Sequence, residues 1–304
     1  MNIAVLGAGT IGQSWAALFL ANGHQVSVYD PNPKMEKVTK QFVQKTAFIL
    51  GELGYLHSGN VNALRFSSDP SDAVFGCYFI QESVPENLAV KHALYREIES
   101  CLLPEAIVLS STSGLTLDML RGGFNDPSRL VIAHPFNPPH LIPLVEVVGH
   151  PTTSSDVMKQ VQQFYQSIGK VPIELKKSVP GHIANRIQAV VWQEALYLAK
   201  EGVATLDEID RIVANGPGLR WSIYGPTKLF SLAGGKGGLR GFMDHLGPSF
   251  ESWWTDSGHV HLDQETLDLL YEYDGQATSL DRTALRATRD DLLGQILKLK
   301  LMKS

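Results

Sequence analysis

The sequence has few cysteines and no long apolar run. Its 304 residues include only Cys77 and Cys101, too few for a disulfide framework or a cysteine-rich metal site. Both lie in apolar or helical stretches, so we expect two small buried thiols and assign no metal ligands. No window reaches the roughly 18 consecutive apolar residues that a membrane span needs. Met1 leads directly into a predicted strand rather than into a basic segment, so we expect a cytosolic protein without a membrane partner.

The sequence also has no large excess of positive or negative residues. The chain has 26 lysines and arginines against 31 aspartates and glutamates, with a formal net charge of −5 and no long basic run. A chain without a basic surface does not attract the phosphates of nucleic acid, so we expect no nucleic-acid partner. The apolar fraction of 44% is ordinary for a globular protein, and the length is sufficient for two domains.

The first part of the chain alternates short β-branched runs with helical segments. Strands are predicted over residues 2–6, 25–29, 77–81, 107–110, 130–134, 144–148 and 171–175. Helices are predicted over residues 12–21, 34–50, 88–99 and 155–168. Strands separated by helices of this length indicate βαβ crossovers and a mostly parallel sheet. We interpret the long stretch 34–61 as a helical excursion within one crossover.

The pattern changes after Pro180-Gly181. A single helix is predicted over residues 183–201, and Thr205 and Glu208 form a capping box that opens another. Further helices are predicted over residues 226–232, 238–246 and 284–302, with a glycine-rich loop at 234–238. The terminal helix is amphipathic and suits packing on its own domain or on a partner. The sequence therefore predicts an α/β domain over residues 1–178 and an all-α domain over residues 179–304.

A glycine-rich turn connects the first predicted strand to the first helix. Residues 7–12 have the pattern G-x-G-x-x-G. Gly7 permits the tight turn, Gly9 lets backbone approach a pyrophosphate, and Gly12 lets helix and strand pack closely. The helix N-terminus offers free N–H groups to the phosphates. The pattern predicts a Rossmann-type dinucleotide site.

Asp30 follows the second predicted strand, 18 residues after Gly12. A carboxylate there accepts hydrogen bonds from ribose hydroxyls and repels a 2′-phosphate. No arginine follows Asp30, so we expect NAD rather than NADP. The residues that this pattern assigns to the cofactor are Gly7, Gly9, Thr10, Ile11, Gly12 and Asp30.

Four polar residues are candidates for the chemistry: Ser113, His134, Glu146 and Asn185. His134 ends a predicted strand, where ligands bind at the carboxyl edge of a parallel sheet. Oxidation of an alcohol requires a base for the hydroxyl proton, and histidine suits that role. A carboxylate on its far nitrogen would fix the tautomer, while Ser113 and Asn185 could orient the oxygen. The spacing alone leaves a purely structural His134 open.

Several segments together resemble the 3-hydroxyacyl-CoA dehydrogenase family. They are residues 7–12, 110–113, 134–139, 144–147 and 181–186, in the family's order and near its spacing. The resemblance covers the chain to about Gly247. It implies that His134 is the catalytic base, that Glu146 orients it, and that Ser113 and Asn185 orient the substrate. It also implies a homodimer through the helical domain.

Residues 81–87 resemble the segment that holds the family's nicotinamide-side contacts. This resemblance implies that Glu86 and Lys91 bind the cofactor, and we assign Asn137 to the cofactor-binding residues as well. His182 and His140 depart from the residues expected at their positions.

Residues 216–226 resemble a small-substrate branch that includes lambda-crystallin (L-gulonate 3-dehydrogenase) and L-carnitine 3-dehydrogenase. Arg220 in this segment could bind a free carboxylate bidentately, or could be a surface residue. Trp221 and the pair Trp253-Trp254 could form the aromatic wall that a trimethylammonium group needs, or could belong to a core or dimer interface.

We therefore expect NAD-dependent oxidation of a small 3-hydroxy acid to the 3-keto acid, as in L-gulonate 3-dehydrogenase. The alternatives are an L-carnitine 3-dehydrogenase-like enzyme, a 3-hydroxyacyl-CoA dehydrogenase and, more distantly, a non-catalytic NAD-binding structural protein. A dehydrogenase of the 3-hydroxyisobutyrate or 6-phosphogluconate type is disfavoured, because it requires a lysine where this chain has Asn185.

Overall fold

The computed structural model describes residues 1–276 and 281–302, which form two compact units. The first unit contains Met1–Ala184 and the described residues from Thr283 onward, and the second runs from Asn185 to Arg282. These units differ from the predicted domains in the placement of the terminal helix, and the boundary between residues 178 and 179 stays a prediction. Within the described ranges, no helix combines the length and apolar character that a membrane span requires.

Eight strands in the described part of the chain form one sheet in the first unit. They are β1 (Asn2–Leu6), β2 (Gln25–Tyr29), β3 (Leu64–Ser67), β4 (Phe79–Glu82), β5 (Ile107–Ser110), β6 (Leu130–Pro135), β7 (Leu144–Val148) and β8 (Val171–Glu174). Their order is β3-β2-β1-β4-β5-β6-β7-β8, and every neighbouring pair is parallel except β6 and β7. The predicted mostly parallel sheet is confirmed.

Strand β3 was not predicted. Residues 34–61 hold a helix followed by turns, and the chain then enters this short edge strand. Only Leu64 of its four residues is buried, so the segment gives no apolar run that would reveal it.

Helices cover both faces of the sheet. Those of the first unit before residue 184 are α1 (Thr10–Ala21), α2 (Met35–Glu52), α3 (Pro70–Val74), α4 (Leu88–Ile98), α5 (Leu117–Arg121) and α6 (Ser155–Ser167). One core cluster joins Trp15 of α1 to Phe164 of α6, and a second joins Tyr95 of α4 to Ile132 of β6. Burial on both faces explains why the strands read as continuous apolar runs.

The strand register aligns the carboxyl ends of the central strands. Leu6 of β1 lies opposite Glu82 of β4, and Glu82 lies opposite Ser110 of β5. The loops that follow these strands therefore leave from the same edge of the sheet, the edge at which ligands bind in parallel α/β folds.

The second unit is built from helices. Those between Ala184 and Gln276 are α7 (Ala184–Lys200), α8 (Leu206–Asn215), α9 (Pro217–Trp221), α10 (Pro226–Ala233), α11 (Gly238–Asp256) and α12 (Gln264–Gln276). The predicted capping box of α8 is present. Helix α11 was predicted to end at residue 246 but continues through Pro248, and α9 and α12 were not predicted.

The terminal helix, α13 (Arg282–Leu301), packs on its own chain. Gly294 is buried, and a Cβ there would lie 2.8 Å from the Ile49 side chain of α2. Lys298 Nζ pairs with Glu52 Oε2 at 2.7 Å. The sequence predicted packing on the all-α domain or on a partner, whereas these contacts place the helix on α2 of the first unit.

Candidate active site

The glycine turn after β1 leaves room for a phosphate. Gly7 has φ of +93°, and a Cβ there would lie 2.7 Å from Ser83 O, so this position requires glycine. A Cβ at Gly12 would lie 1.8 Å from Gly7 O. At Gly9, by contrast, no atom of the described residues apart from its neighbours in the chain lies within 4 Å of such a Cβ. The space beside Gly9 at the N-terminus of α1 therefore fits a pyrophosphate.

Asp30 lies beside the same turn, at the carboxyl end of β2. Its Oδ2 accepts a hydrogen bond from Ala8 N–H at 2.9 Å, and its Oδ1 accepts one from Asn32 N–H at 3.0 Å. A carboxylate oxygen has capacity for a second hydrogen bond, so both oxygens can still accept from ribose hydroxyls. Thr10 is exposed and Ile11 half-buried at the start of α1. The residues present fit an NAD cofactor.

His134 and Glu146 form a buried pair. They face each other across the antiparallel strands β6 and β7, and are 6% and 2% exposed. His134 Nδ1 lies 3.0 Å from Glu146 Oε2. Because a carboxylate only accepts, Nδ1 carries the proton in this bond and Nε2 keeps its lone pair. This arrangement can act as a general base.

The second oxygen of Glu146 binds backbone at the start of α7. Glu146 Oε1 accepts hydrogen bonds from Ile183 N–H at 2.8 Å and Ala184 N–H at 3.1 Å. These bonds fix the carboxylate, and the positive end of the helix dipole favours its charge. Asn185 is the next residue in the chain and belongs to the second unit.

Glu86 holds the loop that carries Ser113. Its Oε1 accepts hydrogen bonds from Thr112 Oγ1 at 2.6 Å, Ser113 N–H at 2.9 Å and Gly114 N–H at 2.8 Å. Burial alone would raise the pKa of Glu86, but these bonds and the nearby Lys91 outweigh it and hold the pKa below its ordinary value. The structure thus brings together two residues that the sequence assigned to different roles.

Lys91 is buried in a polar network that the sequence did not reveal. It is 1% exposed, and its Nζ lies 2.6 Å from Glu82 Oε1 and 3.6 Å from Glu86 Oε2. Glu82 also accepts from Tyr95 Oη at 2.7 Å and Ser110 Oγ at 2.6 Å. The only sequence signal was an acid at the end of an apolar strand. A direct cofactor contact by Lys91 stays a prediction.

The remaining predicted residues belong to different units of the chain. Asn137 is exposed in the segment after β6, while Asn185 and Arg220 lie in the second unit. Asn185 Oδ1 accepts a long hydrogen bond from Gln188 Nε2 at 3.4 Å, and Arg220 is exposed on α9.

Three of the four tryptophans of the second unit were candidates for ligand contacts, and all three are partly open to solvent. Trp221 is 38% exposed, Trp253 56% and Trp254 67%. None of them is a fully buried core residue, so their side chains are available for contacts with a ligand or a partner.

The chain matches two family domains and several named proteins. Residues 2–178 match the NAD binding domain of 3-hydroxyacyl-CoA dehydrogenase, and residues 181–272 match its C-terminal domain. The L-carnitine dehydrogenase of Streptomyces coelicolor is 41% identical over 88% of this chain and 84% of that protein. The L-carnitine dehydrogenase of Bacillus cereus is 37% identical over 98% of this chain and 92% of that protein.

A solved structure is also similar throughout. It is a 5-formyl-3-hydroxy-2-methylpyridine 4-carboxylic acid 5-dehydrogenase, described as an NAD⁺-dependent dismutase. The TM-score is 0.84 at 29% identity, and the match covers 98% of this chain and 97% of that one. The chain therefore belongs to the 3-hydroxyacyl-CoA dehydrogenase family and is an NAD-dependent oxidoreductase that acts on a CH–OH group.

Proposed function

We propose that the protein oxidises the 3-hydroxyl group of L-carnitine to the ketone, with NAD as the oxidant. The observation that carries the chemistry is the buried His134–Glu146 pair. The substrate rests on similarity: the L-carnitine dehydrogenases of Streptomyces coelicolor and Bacillus cereus are 41% and 37% identical to the chain. These relatives favour the L-carnitine alternative over our main sequence-based expectation of L-gulonate.

His134 acts as the general base in this proposal. Its Nε2 takes the proton of the 3-hydroxyl group while the C3–H bond breaks and the C–O single bond becomes C=O. NAD supplies the acceptor for the hydride, which carries both electrons of that C–H bond. Glu146 holds Nδ1–H and stabilises the imidazolium that forms.

The other predicted site residues have supporting roles. Ser113 and Asn185 orient the alcohol oxygen by hydrogen bonds. Glu86, Lys91 and Asn137 serve the nicotinamide side of the cofactor, for which the Glu86 bonds to the Ser113 loop give a physical basis.

Arg220 is the proposed partner of the substrate carboxylate. A guanidinium binds a carboxylate through two parallel hydrogen bonds, which selects a free acid over its thioester. Trp253 and Trp254, both exposed on α11, supply aromatic faces of the kind that a trimethylammonium group prefers.

We also propose that residues 1–178 and 179–304 are the functional domains, and that the protein is a cytosolic homodimer joined through its helical part. Large apolar side chains of the second unit support the dimer because they are open to solvent in the single chain. They include Ile187, Val190, Trp192, Ile212, Leu219 and Ile223. Several large apolar side chains exposed on one unit are typical of an interaction site.

The test is NADH formation with four substrates side by side: L-carnitine, L-gulonate, 3-hydroxybutyrate and 3-hydroxybutyryl-CoA. We expect kcat/KM for L-carnitine to exceed that for each other substrate by about 100-fold. A site that binds both the carboxylate and the trimethylammonium group of L-carnitine would have unpaired groups with a substrate that lacks either one. Preferential turnover of L-gulonate or of the CoA ester would overturn the substrate assignment.

The substitution Arg220→Gln tests the carboxylate contact. We expect KM for L-carnitine to rise about 10- to 100-fold, the effect of a lost charge-assisted hydrogen-bond pair, with KM for NAD unchanged. Arg211→Gln, at an exposed arginine of α8, is the matched control. Equal effects of the two substitutions would remove Arg220 from substrate binding.

A further inference from the structure

His182 lies in the short segment that precedes α7, in an unusual backbone conformation. Its φ is +52°, and that of Gly181 before it is +75°. His182 is the one non-glycine residue with positive φ among those that the structure describes. The left-handed region is unfavourable for an L-residue other than glycine, so side-chain contacts must hold this residue in place.

The His182 ring packs against the ring of His134. The two ring centroids are 4.8 Å apart, with an angle of 33° between the planes. The His182 side chain is almost completely buried, at 2% exposure. The next two residues donate their N–H groups to Glu146, so the same segment contacts both members of the His134–Glu146 pair.

His182 also contacts the loop that carries Ser113. Its Nε2 lies 3.3 Å from Thr112 O. A carbonyl oxygen only accepts, so Nε2 carries the proton and Nδ1 of the neutral ring holds a lone pair. Nδ1 is buried and has no hydrogen-bond partner among the described residues.

These contacts favour a neutral His182. A second proton would place an N–H at Nδ1 without an acceptor, next to the His134 ring. Burial first, and then His134, lower the pKa of His182, and they outweigh the Thr112 carbonyl and the carboxylates of Glu146 and Glu86. Burial and the neighbouring His134 therefore favour the uncharged form of the His182 ring.

We propose that His182 is a positioning residue for the base His134. Its ring packs on the His134 ring and contacts the Ser113 loop through Thr112, which fixes the orientation in which His134 Nδ1 meets Glu146 and Nε2 can take the proton of the substrate hydroxyl. The inference rests on the proposed function, because it assumes that His134 is the base.

The variants His182→Asn and His182→Phe separate the ring from the backbone. Asparagine tolerates positive φ but lacks the ring, so kcat should fall about tenfold with KM for NAD unchanged. Phenylalanine keeps an aromatic ring and should recover most of kcat. The difference in kcat between His182→Phe and the wild type then measures the effect of the bond to Thr112.

Thermal unfolding and NADH affinity of each variant show whether the fold is intact. A fall in activity that only tracks lost folded protein, without recovery in His182→Phe, would reduce His182 to a structural residue. Near-normal kcat in His182→Asn would overturn the proposal outright.

Nitrogen NMR of ¹⁵N-histidine-labelled enzyme gives a readout independent of turnover. His182, assigned by its loss in His182→Asn, should show a neutral ring protonated at Nε2 and should take up its second proton at lower pH than free histidine does. Titration like a free histidine would overturn the proposal. If L-carnitine is not oxidised, the proposed function fails while this readout still decides the state of His182.

Discussion

Each oxygen of the Glu146 carboxylate has a separate partner. Oε2 binds His134 Nδ1, whereas Oε1 accepts from the backbone of Ile183 and Ala184 at the start of α7. Replacement of Glu146 therefore disturbs both the base and the backbone around it, and its effect on rate cannot be assigned to the base alone. Replacement of His134 leaves the bonds from Glu146 to the backbone of Ile183 and Ala184 in place and is the cleaner experiment.

For His134→Gln we expect kcat to fall about 100-fold or more, since glutamine cannot take the hydroxyl proton. NADH affinity, measured by fluorescence, should stay close to that of the wild type because the glycine turn and Asp30 are untouched. His261→Gln, at an exposed histidine of the second unit, is the control for histidine loss. Near-normal turnover of His134→Gln would remove His134 from the base role.

At the scale of elements, the segment between β6 and β7 is bound to α1 and to Lys170, the residue before β8. Ser14 Oγ of α1 lies 2.7 Å from His140 Nδ1 and accepts from His140 N–H at 2.8 Å. Lys170 Nζ donates to Ile142 O at 2.7 Å and to Pro139 O, and it lies over the Trp15 ring. Burial lowers the pKa of Lys170 to about 7. These contacts connect the loop after His134 to the helix of the cofactor turn.

His140 makes the stability of this connection depend on pH. Burial first, and then Lys170 and Arg289, lower its pKa to about 4 from an ordinary 6.5, against the opposing charge of Asp290. Between these two values the unfolded chain binds more protons than the native one. The free energy of unfolding should therefore fall by about 3 kcal/mol as the pH drops from 6.5 to 4.

Urea unfolding at a series of pH values measures this dependence. His140→Asn keeps a polar partner for Ser14 but does not titrate, so its free energy of unfolding should vary less over the same window. His261→Asn, at an exposed position, should retain the wild-type slope. An unchanged slope in His140→Asn would contradict the assignment.

At the scale of the whole molecule, the proposed homodimer makes a prediction about mass. In sedimentation velocity at micromolar concentration we expect a species of twice the 33.4 kDa chain mass. Val190→Glu places a charge on an exposed apolar position of α7, and should shift the protein toward monomer. Val38→Glu, on α2 of the first unit, is the matched control. A wild-type protein that sediments only as a monomer would exclude the dimer.

Element prediction succeeded where the signal was local. The predicted strands at residues 2–6, 25–29 and 107–110 match β1, β2 and β5, because each is a short apolar run in the chain itself. It failed at β3, which has one buried residue, and at α11, which continues through Pro248. Pairing with a neighbouring strand and contacts within the helical unit override local preference in these two cases.

The amino-acid sequence by itself determined the parts that depend on neighbours in the chain. These are the glycine turn with Asp30, the preference for NAD, the α/β pattern followed by helices, and the family to which the chain belongs. Each follows from residue type and spacing over short distances, such as the 18 residues from Gly12 to Asp30.

Only the tertiary structure decided which distant residues touch. It placed Lys91 in a buried pair with Glu82, joined Glu86 to the Ser113 loop, and brought His182 onto His134. These contacts depend on strand register and on how loops return over the edge of the sheet. No periodicity in the sequence encodes that geometry, because it is set by the packing of the whole unit.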